Sequence, residues 1–320
     1  MSAAVIRRRV LSVTRFVALL FLVSLATFML LELMPGDPVD SLAPEGATDE
    51  VREQIRVAYG LDQPLATRYL DWLGNLAHGD LGSSFQTKVP ISQTLLERGP
   101  VSLELALLAM LVALLAAVPL GAYSAYRPGG VIDRVTTFLS SSTLAIPSFV
   151  LGVVAVWVFG VQLGWLPIVG WTSFSENPAE HVRSMILPVL TLAAGECVLF
   201  IRVLKNDMIS TLQQDHVLSA RARGLPTGRI LARHALRQSS FSLVTVSGVS
   251  LGRLIGGTVI IEMIFAIPGL GSWVVTAINY RDFIVVQAVV LVSAVVYLVM
   301  NTLVDLAYPL LDPRVRKAAS

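Results

Sequence analysis

The sequence predicts an all-α membrane protein of six transmembrane helices with both termini in the cytoplasm. Three observations predict it. First, of 320 residues 54% are hydrophobic and only 14% charged, against about 25% charged in a soluble domain, and the mean hydropathy is +0.71. That much apolar surface exceeds what one core can bury and calls for lipid. Second, six stretches are apolar over the length that crosses a hydrocarbon layer: 10–34, 101–125, 136–160, 185–205, 243–265 and 284–308. Third, arginine and lysine gather in alternate loops, and such loops stay inside. Arg7, Arg8 and Arg9 precede the first run, Arg202, Lys205, Arg221, Arg223, Arg229, Arg233 and Arg237 lie between the fourth and fifth, and Arg314, Arg316 and Lys317 follow the sixth.

The N-terminus looks like a signal peptide, three arginines and then an apolar run. The run to Met34 is long, however, and "LELMPGDP" follows it with no small-x-small cleavage site, so it reads as a retained span. Residues 1–34 are then a tail plus the first span, and 35–100 lie outside the cell and are rich in acid. Residues 101–310 form a core of five spans with a cytoplasmic loop at 206–240, and 311–320 are a cytoplasmic tail. Two short helices are expected in the outer segment. "TDEVREQIRVAYGL" opens on Thr48 as a cap and stops at Gly60, and "PLATRYLDWLGNLAHGDLG" carries apolar residues at helical spacing. They form a packing cap or a docking surface. Pro119 and Pro147 sit inside spans, where bundle neighbours can satisfy the backbone groups that a kink frees. The fourth run is interrupted by Glu196.

The loop after the fourth span reads "DHVLSARARGLPTGRILARHALR". Asp215 can cap a helix of His216, Val217, Leu218, Ser219, Ala220, Arg221, Ala222 and Arg223. Gly224, Leu225 and Pro226 form a strong stop: a left-handed glycine, an apolar contact, then proline. Thr227 can cap a second helix on which Arg229, Arg233 and Arg237 recur every four residues as a basic stripe. The charge alone fits a loop resting on anionic lipid headgroups. The caps and the tight corner fit a rigid knob that pushes on another protein.

Ionisable groups inside spans usually pair or face a water-filled path. Glu196 and Arg253 therefore either pair across adjacent helices or line a path for a charged substrate, and Glu262 lies farther along the same span as Arg253. Gly248, Gly252 and Gly256, spaced by four, permit close helix packing, within the core or against a second chain. The turn after the fifth span carries Pro268, Gly269, Gly271, Arg281 and Asp282, which form either an external contact surface or a plain cap. A P-loop needs lysine after glycine, and none of Lys88, Lys205 and Lys317 follows one. No His-Glu-x-x-His motif or cysteine pair suggests a metal, and nothing points to nucleic acid or to catalysis.

Four segments in order carry a family resemblance. "HVLSARARGL" with "ARHALR" resembles the cytoplasmic EAA loop of ATP-binding cassette (ABC) importer permeases, in the dipeptide/oligopeptide branch whose nickel and glutathione relatives share the scaffold. "HGDLGSSFQTKVPISQTLLERGPVSLELA" (78–106), "GGTVIIEMIFAIPGLGSWVVTAINYRDFIVVQ" (256–287) and "NTLVDLAYPLLDPRVR" (301–316) resemble further family segments. His216 departs from the family's aromatic residue, and Ser242 stands where a proline is usual. The resemblance implies a type I ABC importer permease fold in the bacterial cytoplasmic (inner) membrane. It implies four kinds of partner besides the lipid bilayer: a homologous second permease, two ATPases that hold ATP and Mg, and an extracytoplasmic substrate-binding protein. It implies that Asp215–Pro226 is the coupling helix seated in an ATPase cleft, with Ala220 and Gly224 as the best-matched positions, and that Arg221 and Arg223 face the ATPase rim or solvent and lipid. This chain holds no cofactor and is not an enzyme. Its cargo is a di- or oligopeptide, with nickel or glutathione as the alternative. An ion-coupled secondary transporter is the rival from another class, and a structural membrane subunit is a third.

Overall fold

The computed structural model describes residues 3–32, 39, 43, 46–58 and 60–311, with side chains except at 3–13, 30–32, 58, 144–145 and 305–311. The arginines expected at 7–9, part of the acidic outer segment (Asp37, Asp40, Glu45), and the tail with Arg314, Arg316 and Lys317 lie outside the described side chains. The described residues are helical except for turns and one isolated bridge, and they form two compact units.

One unit holds residues up to 101 together with 268–296. Helix α1 (Ala3–Glu32) carries the apolar stretch Thr14–Met29. The two expected outer helices are present as α2 (Asp49–Ala58) and α3 (Leu65–Ala77). Asp49 and Glu50 sit in the first turn of α2, where the helix dipole favours acid, and the chain turns at Gly60 with φ 63°. Helix α3 packs on α1 through rings: Phe28 lies 5.3 Å from Tyr69 and 6.0 Å from Trp72, and the Tyr69 hydroxyl is 2.8 Å from Ser24 Oγ. Helix α4 (Ile91–Tyr126) begins ten residues before the expected span at 101. Its start, Ile91, forms an apolar core with Leu270 and Ala277 of α12 (Leu270–Asn279) and with Val285, Ala288 and Val289 of α13 (Phe283–Leu311).

The other unit holds residues 102–267 and those from 297 on. Along α4, Ser102, Leu105, Ala106, Ala109, Ala113 and Ala117 are wholly buried, a seam of mostly small residues at helical spacing that lets neighbours come close. The expected third span, 136–160, is not one straight helix. It is α5 (Val131–Ala145) and α6 (Ser148–Ala155), bent at Ile146–Pro147 and continued by a π-helical turn, Val156–Gln162. The residue before proline is pushed out of the helical region, and Ile146 accordingly has φ −107° and ψ 122°. Helix α7 (Pro178–Leu212) is longer than the expected 185–205. Asn177 caps it by accepting from the Glu180 amide, and Pro178 is its first residue. Helices α5, α6, α10 (Arg237–Gly257) and α11 (Val259–Phe265) all pack on α7. The expected fifth span, 243–265, is likewise broken: α10 and α11 meet at Thr258 with a 52° bend.

Among the described residues, three helices are long and apolar enough to cross a membrane, α4, α7 and α13, and there are up to five spans if each bent pair is one. The three glycines of α10 differ in what surrounds them. A Cβ on Gly248 would overlap Val304, and one on Gly252 would stand 2.9 Å from Tyr297, both on α13, whereas Gly256 has nothing within 4 Å. Gly248→Ala is therefore expected to destabilise the protein by about 1–3 kcal/mol through overpacking. Gly256→Ala should be neutral or gain up to about 1 kcal/mol of helix preference. Thermal melts of the two variants in detergent measure the difference, and equal melts would contradict the packing.

Candidate functional site

The loop after α7 is a folded knob. Helix α8 (Asp215–Ala222) is followed by a corner, a short α9 (Thr227–Arg229) and a π-helical turn, Ile230–Leu236, that runs into α10. Asp215 is not the cap. Gln214 takes that position, without a side-chain bond to the helix, and Asp215 lies in the first turn. Thr227 is likewise the first helical residue, and Pro226 precedes it as the cap. The corner is as expected. Gly224 has φ 74°, its amide bonds the Arg221 carbonyl at 2.9 Å, and the Leu225 amide bonds the Ala220 carbonyl at 3.3 Å. These two crossed bonds are a Schellman motif, which satisfies carbonyls left open at the helix end.

Packing divides α8 into two faces. Val217 and Ala220 are wholly buried, and α8 rests on the π turn, where Ile230 and Ala235 are buried, and on the end of α7. Ala220 therefore seats the knob on its own chain and is not available to a partner; its small side chain permits that close approach. Asp215, His216, Leu218, Ser219, Arg221, Ala222 and Arg223 are exposed, with Leu218 the one large apolar residue among them. Gln238 of α10 donates to Gln214 at the start of the knob at 3.0 Å, and the Thr211 and Ser239 hydroxyls, 3.3 Å apart, join the end of α7 to the start of α10 beneath it. Arg229, Arg233 and Arg237 are exposed as expected.

Inside the helical bundle, Arg253 Nη2 donates to Glu196 Oε1 at 2.8 Å, from α10 to α7. The Glu196 side chain is 9% exposed and that of Arg253 is 63%. A guanidinium turned to lipid at mid-depth costs at least about 2.5–3.5 kcal/mol, so this exposed group calls for water or a polar partner. Glu262 is wholly buried, and its Oε1 accepts from Ser102 Oγ of α4 and Thr258 Oγ1 at the α10–α11 bend, each at 2.7 Å. That carboxylate joins three elements where the span breaks.

Two further pairs went unread in the sequence. His181 Nδ1 lies 2.8 Å from the Thr172 carbonyl, and its Nε2 lies 2.9 Å from Glu104 Oε1. A carbonyl only accepts, so Nδ1 carries a proton, and a second proton must lie between Nε2 and the carboxylate for that contact to be a hydrogen bond. Lys205 of α7 pairs with Asp133 of α5, whose other oxygen accepts from the Gly129 amide at 2.8 Å. Glu104 and Asp133 each stand alone in or beside an apolar run, with no local motif to mark them.

The turn after α11 is mostly buried. Gly269, Gly271 and Asp282 are buried and Pro268 is half-buried, while Arg281 is exposed with φ 55°. Asp282 accepts from Ser84 Oγ at 2.5 Å and from the Gln86 amide at 3.3 Å. It is an internal latch between the 82–90 turn and the start of α13. Among the described residues no group of three or more His, Cys, Asp or Glu is placed to hold a metal ion.

Comparison with known proteins gives the following. The family described as "Binding-protein-dependent transport system inner membrane component" matches residues 117–317, and its N-terminal companion family matches 1–106. The chain is 39% identical over 316 residues, 99% of each chain, to a Brucella abortus (strain 2308) protein whose name assigns it to a peptide transport system as a permease. It is 35% identical to the oligopeptide transport system permease AppB of Bacillus subtilis (strain 168), over 98% of this chain and 99% of that one. Its fold is similar to a chain of the MetNI methionine ABC transporter in an inward-facing conformation. The TM-score is 0.54 at 17% identity, covering 69% of this chain and 97% of that one.

The His181–Glu104 contact generates a test. Because the His181 side chain is only 4% exposed, losing its partner strands a buried donor, at about 1–3 kcal/mol; Glu104, at 38%, puts the effect at the low end. His181→Ala and Glu104→Ala should each lower the thermal midpoint in detergent, and the double variant should lose less than the two together. Additive losses would mean that the two groups do not interact.

Proposed function

The chain belongs to the family of binding-protein-dependent transport system inner membrane components, and from that membership we propose that it is the transmembrane permease of an ATP-driven importer of di- or oligopeptides. The observation that carries the reading is the match of nearly the whole chain to relatives named as peptide permeases. We place it in the bacterial cytoplasmic membrane as a multi-pass protein. The arginine distribution supports six spans, with α1 the first, each bent pair counted once, and both ends inside.

Its partners in this reading are a second permease, two ATPases that hold ATP and Mg, and an external binding protein that delivers the peptide. Nickel or glutathione is the alternative cargo of the same machinery. Glu262 is assigned a structural role at the α10–α11 bend, as the joint of the broken span.

The coupling step belongs to α8. ATP binding draws the two ATPases together, and a helix docked in each must carry that movement to the spans. A slack loop would absorb it. This knob is closed by a Schellman corner, buried at Val217 and Ala220, and tied to α10 through Gln238, so a push on its outer face moves α7 and α10. Leu218 supplies apolar contact on that face, and Arg221 and Arg223 meet acidic groups on the ATPase rim.

Two measurements test the reading. Purified alone in liposomes, the chain should move no peptide, while the complex with second permease, ATPases and binding protein should import peptide only with ATP; uptake by the chain alone on an ion gradient would indicate a secondary transporter. In the complex, Leu218→Asp should lower ATP-driven uptake by at least about tenfold, equivalent to about 1.4 kcal/mol of lost coupling, with an unchanged melt of the isolated permease because Leu218 is already exposed. Full uptake by that variant would sink the docking role of α8.

A further inference from the structure

The contact between Arg253 and Glu196 leaves most of the guanidinium uncommitted. A guanidinium carries five N–H donors in a rigid plane, and Glu196 takes the proton of one nitrogen, Nη2, at 2.8 Å. The rest of the side chain is open at 63% exposure, while its partner is nearly buried at 9%. Glu196 therefore acts as a mount. It fixes one corner of the plane and turns the remaining donors outward.

The surroundings leave room beside those donors. Val249, one turn before Arg253, is exposed, and so are Gly256 and Gly257, three and four residues after it. Nothing lies within 4 Å of where a Cβ on Gly256 or Gly257 would be. The other side of α10, at Gly248 and Gly252, is closed against Val304 and Tyr297. The arginine thus stands on the open side of a helix whose opposite side is packed.

Depth decides what can meet it. Leu243 begins the apolar run of this span, and Arg253 is ten residues farther, about 15 Å along a helix and so near the middle of a hydrocarbon layer about 30 Å thick. Facing lipid there is disfavoured, so the open edge faces a polar path. The group that matches a planar fork of donors is a carboxylate, held by two parallel bonds. Every unmodified peptide has one at its C-terminus. A bare arginine at mid-membrane would hold that anion too firmly for passage. Glu196 cancels most of the charge, and a site on a transport path must bind weakly enough to release.

We propose that Arg253, positioned by Glu196, is a transient subsite for the C-terminal carboxylate of the peptide as it crosses the membrane. The proposal rests on the peptide-permease reading above. It makes the permease itself, beyond its binding protein, a contributor to selectivity for free acids.

The test uses the complete transporter, with ATPases, second permease and binding protein, in liposomes. ATP-driven uptake of trialanine and of trialanine amide is compared at concentrations that saturate the binding protein. Arg253→Gln should slow trialanine about tenfold, the order of one charge-assisted pair, and leave the amide rate unchanged, while Arg253→Lys keeps part of the preference. If the binding protein rejects the amide, retention of labelled trialanine and of its amide by the detergent-solubilised complex without binding protein is measured instead. Arg253→Gln should then reduce retention of the free acid alone. Equal loss for acid and amide would make the pair purely structural and overturn the subsite, as would no change for either. A wild-type complex that moves neither peptide overturns the cargo reading, and the subsite falls with it. A wild-type complex that transports both, with no selective loss in the variant, overturns the subsite alone.

Discussion

A charged or strongly polar group cannot leave water without bringing its partner, and that constraint organises the larger unit around α7. His181, Glu196 and Lys205 lie along this one helix, and each pairs with a different neighbour: Glu104 of α4, Arg253 of α10 and Asp133 of α5. Fifteen residues separate the first two and nine the last two, about 22 Å and about 14 Å along the axis. At about 100° per residue the three side chains leave the helix in different directions, which is why they find different partners. Between them, small-residue contacts set the spacing, as at Gly121, where a Cβ would meet the Ile201 carbonyl at 3.3 Å. The apolar seams allow close approach, and the polar pairs fix which register of that approach is adopted.

The same view explains what the sequence disclosed and what it withheld. Apolar runs marked where helices are, because their length and hydropathy are local properties. Their ends were harder to place. Helix α4 begins at Ile91 because Glu97 and Arg98 are satisfied at its start, with Gln93 donating to Glu97 at 3.2 Å and Arg98 lying 5.9 Å over the Trp273 ring; a hydropathy reading takes those charges as a boundary. Pro147 could be seen, but whether a proline kinks a helix or breaks it depends on what surrounds the preceding residue. Thr258 gives no warning of a bend at all. The bend is stabilised by a carboxylate four residues on and by Ser102 of another helix.

The knob shows the limit of matching letters to roles. Ala220 and Gly224 carry the motif, and both serve the knob's own shape, one by sitting flush against the π turn, the other by adopting a left-handed backbone at the corner. The exposed surface of α8 and its end is made by Asp215, His216, Leu218, Ser219, Arg221, Ala222 and Arg223, and it includes His216, which departs from the family's aromatic residue. The matched letters thus mark the fold of the element, and in the docking role proposed for it the exposed residues between them supply the contacts.

Charge within the bundle follows one rule across all four polar clusters. Each brings together groups that can neutralise one another or hydroxyls that can solvate a carboxylate, so each of these carboxylates has a polar partner. Two of the clusters are lopsided, in opposite senses: at His181–Glu104 the base is buried and the acid partly open, and at Glu196–Arg253 the acid is buried and the base open. At Glu196–Arg253 that asymmetry has a direction: it presents positive, hydrogen-bonding surface outward and keeps the compensating charge buried behind it. As the carboxylate subsite proposed above, it favours negative groups without trapping them, because the attraction an anion feels from the arginine is offset by the glutamate one bond behind it.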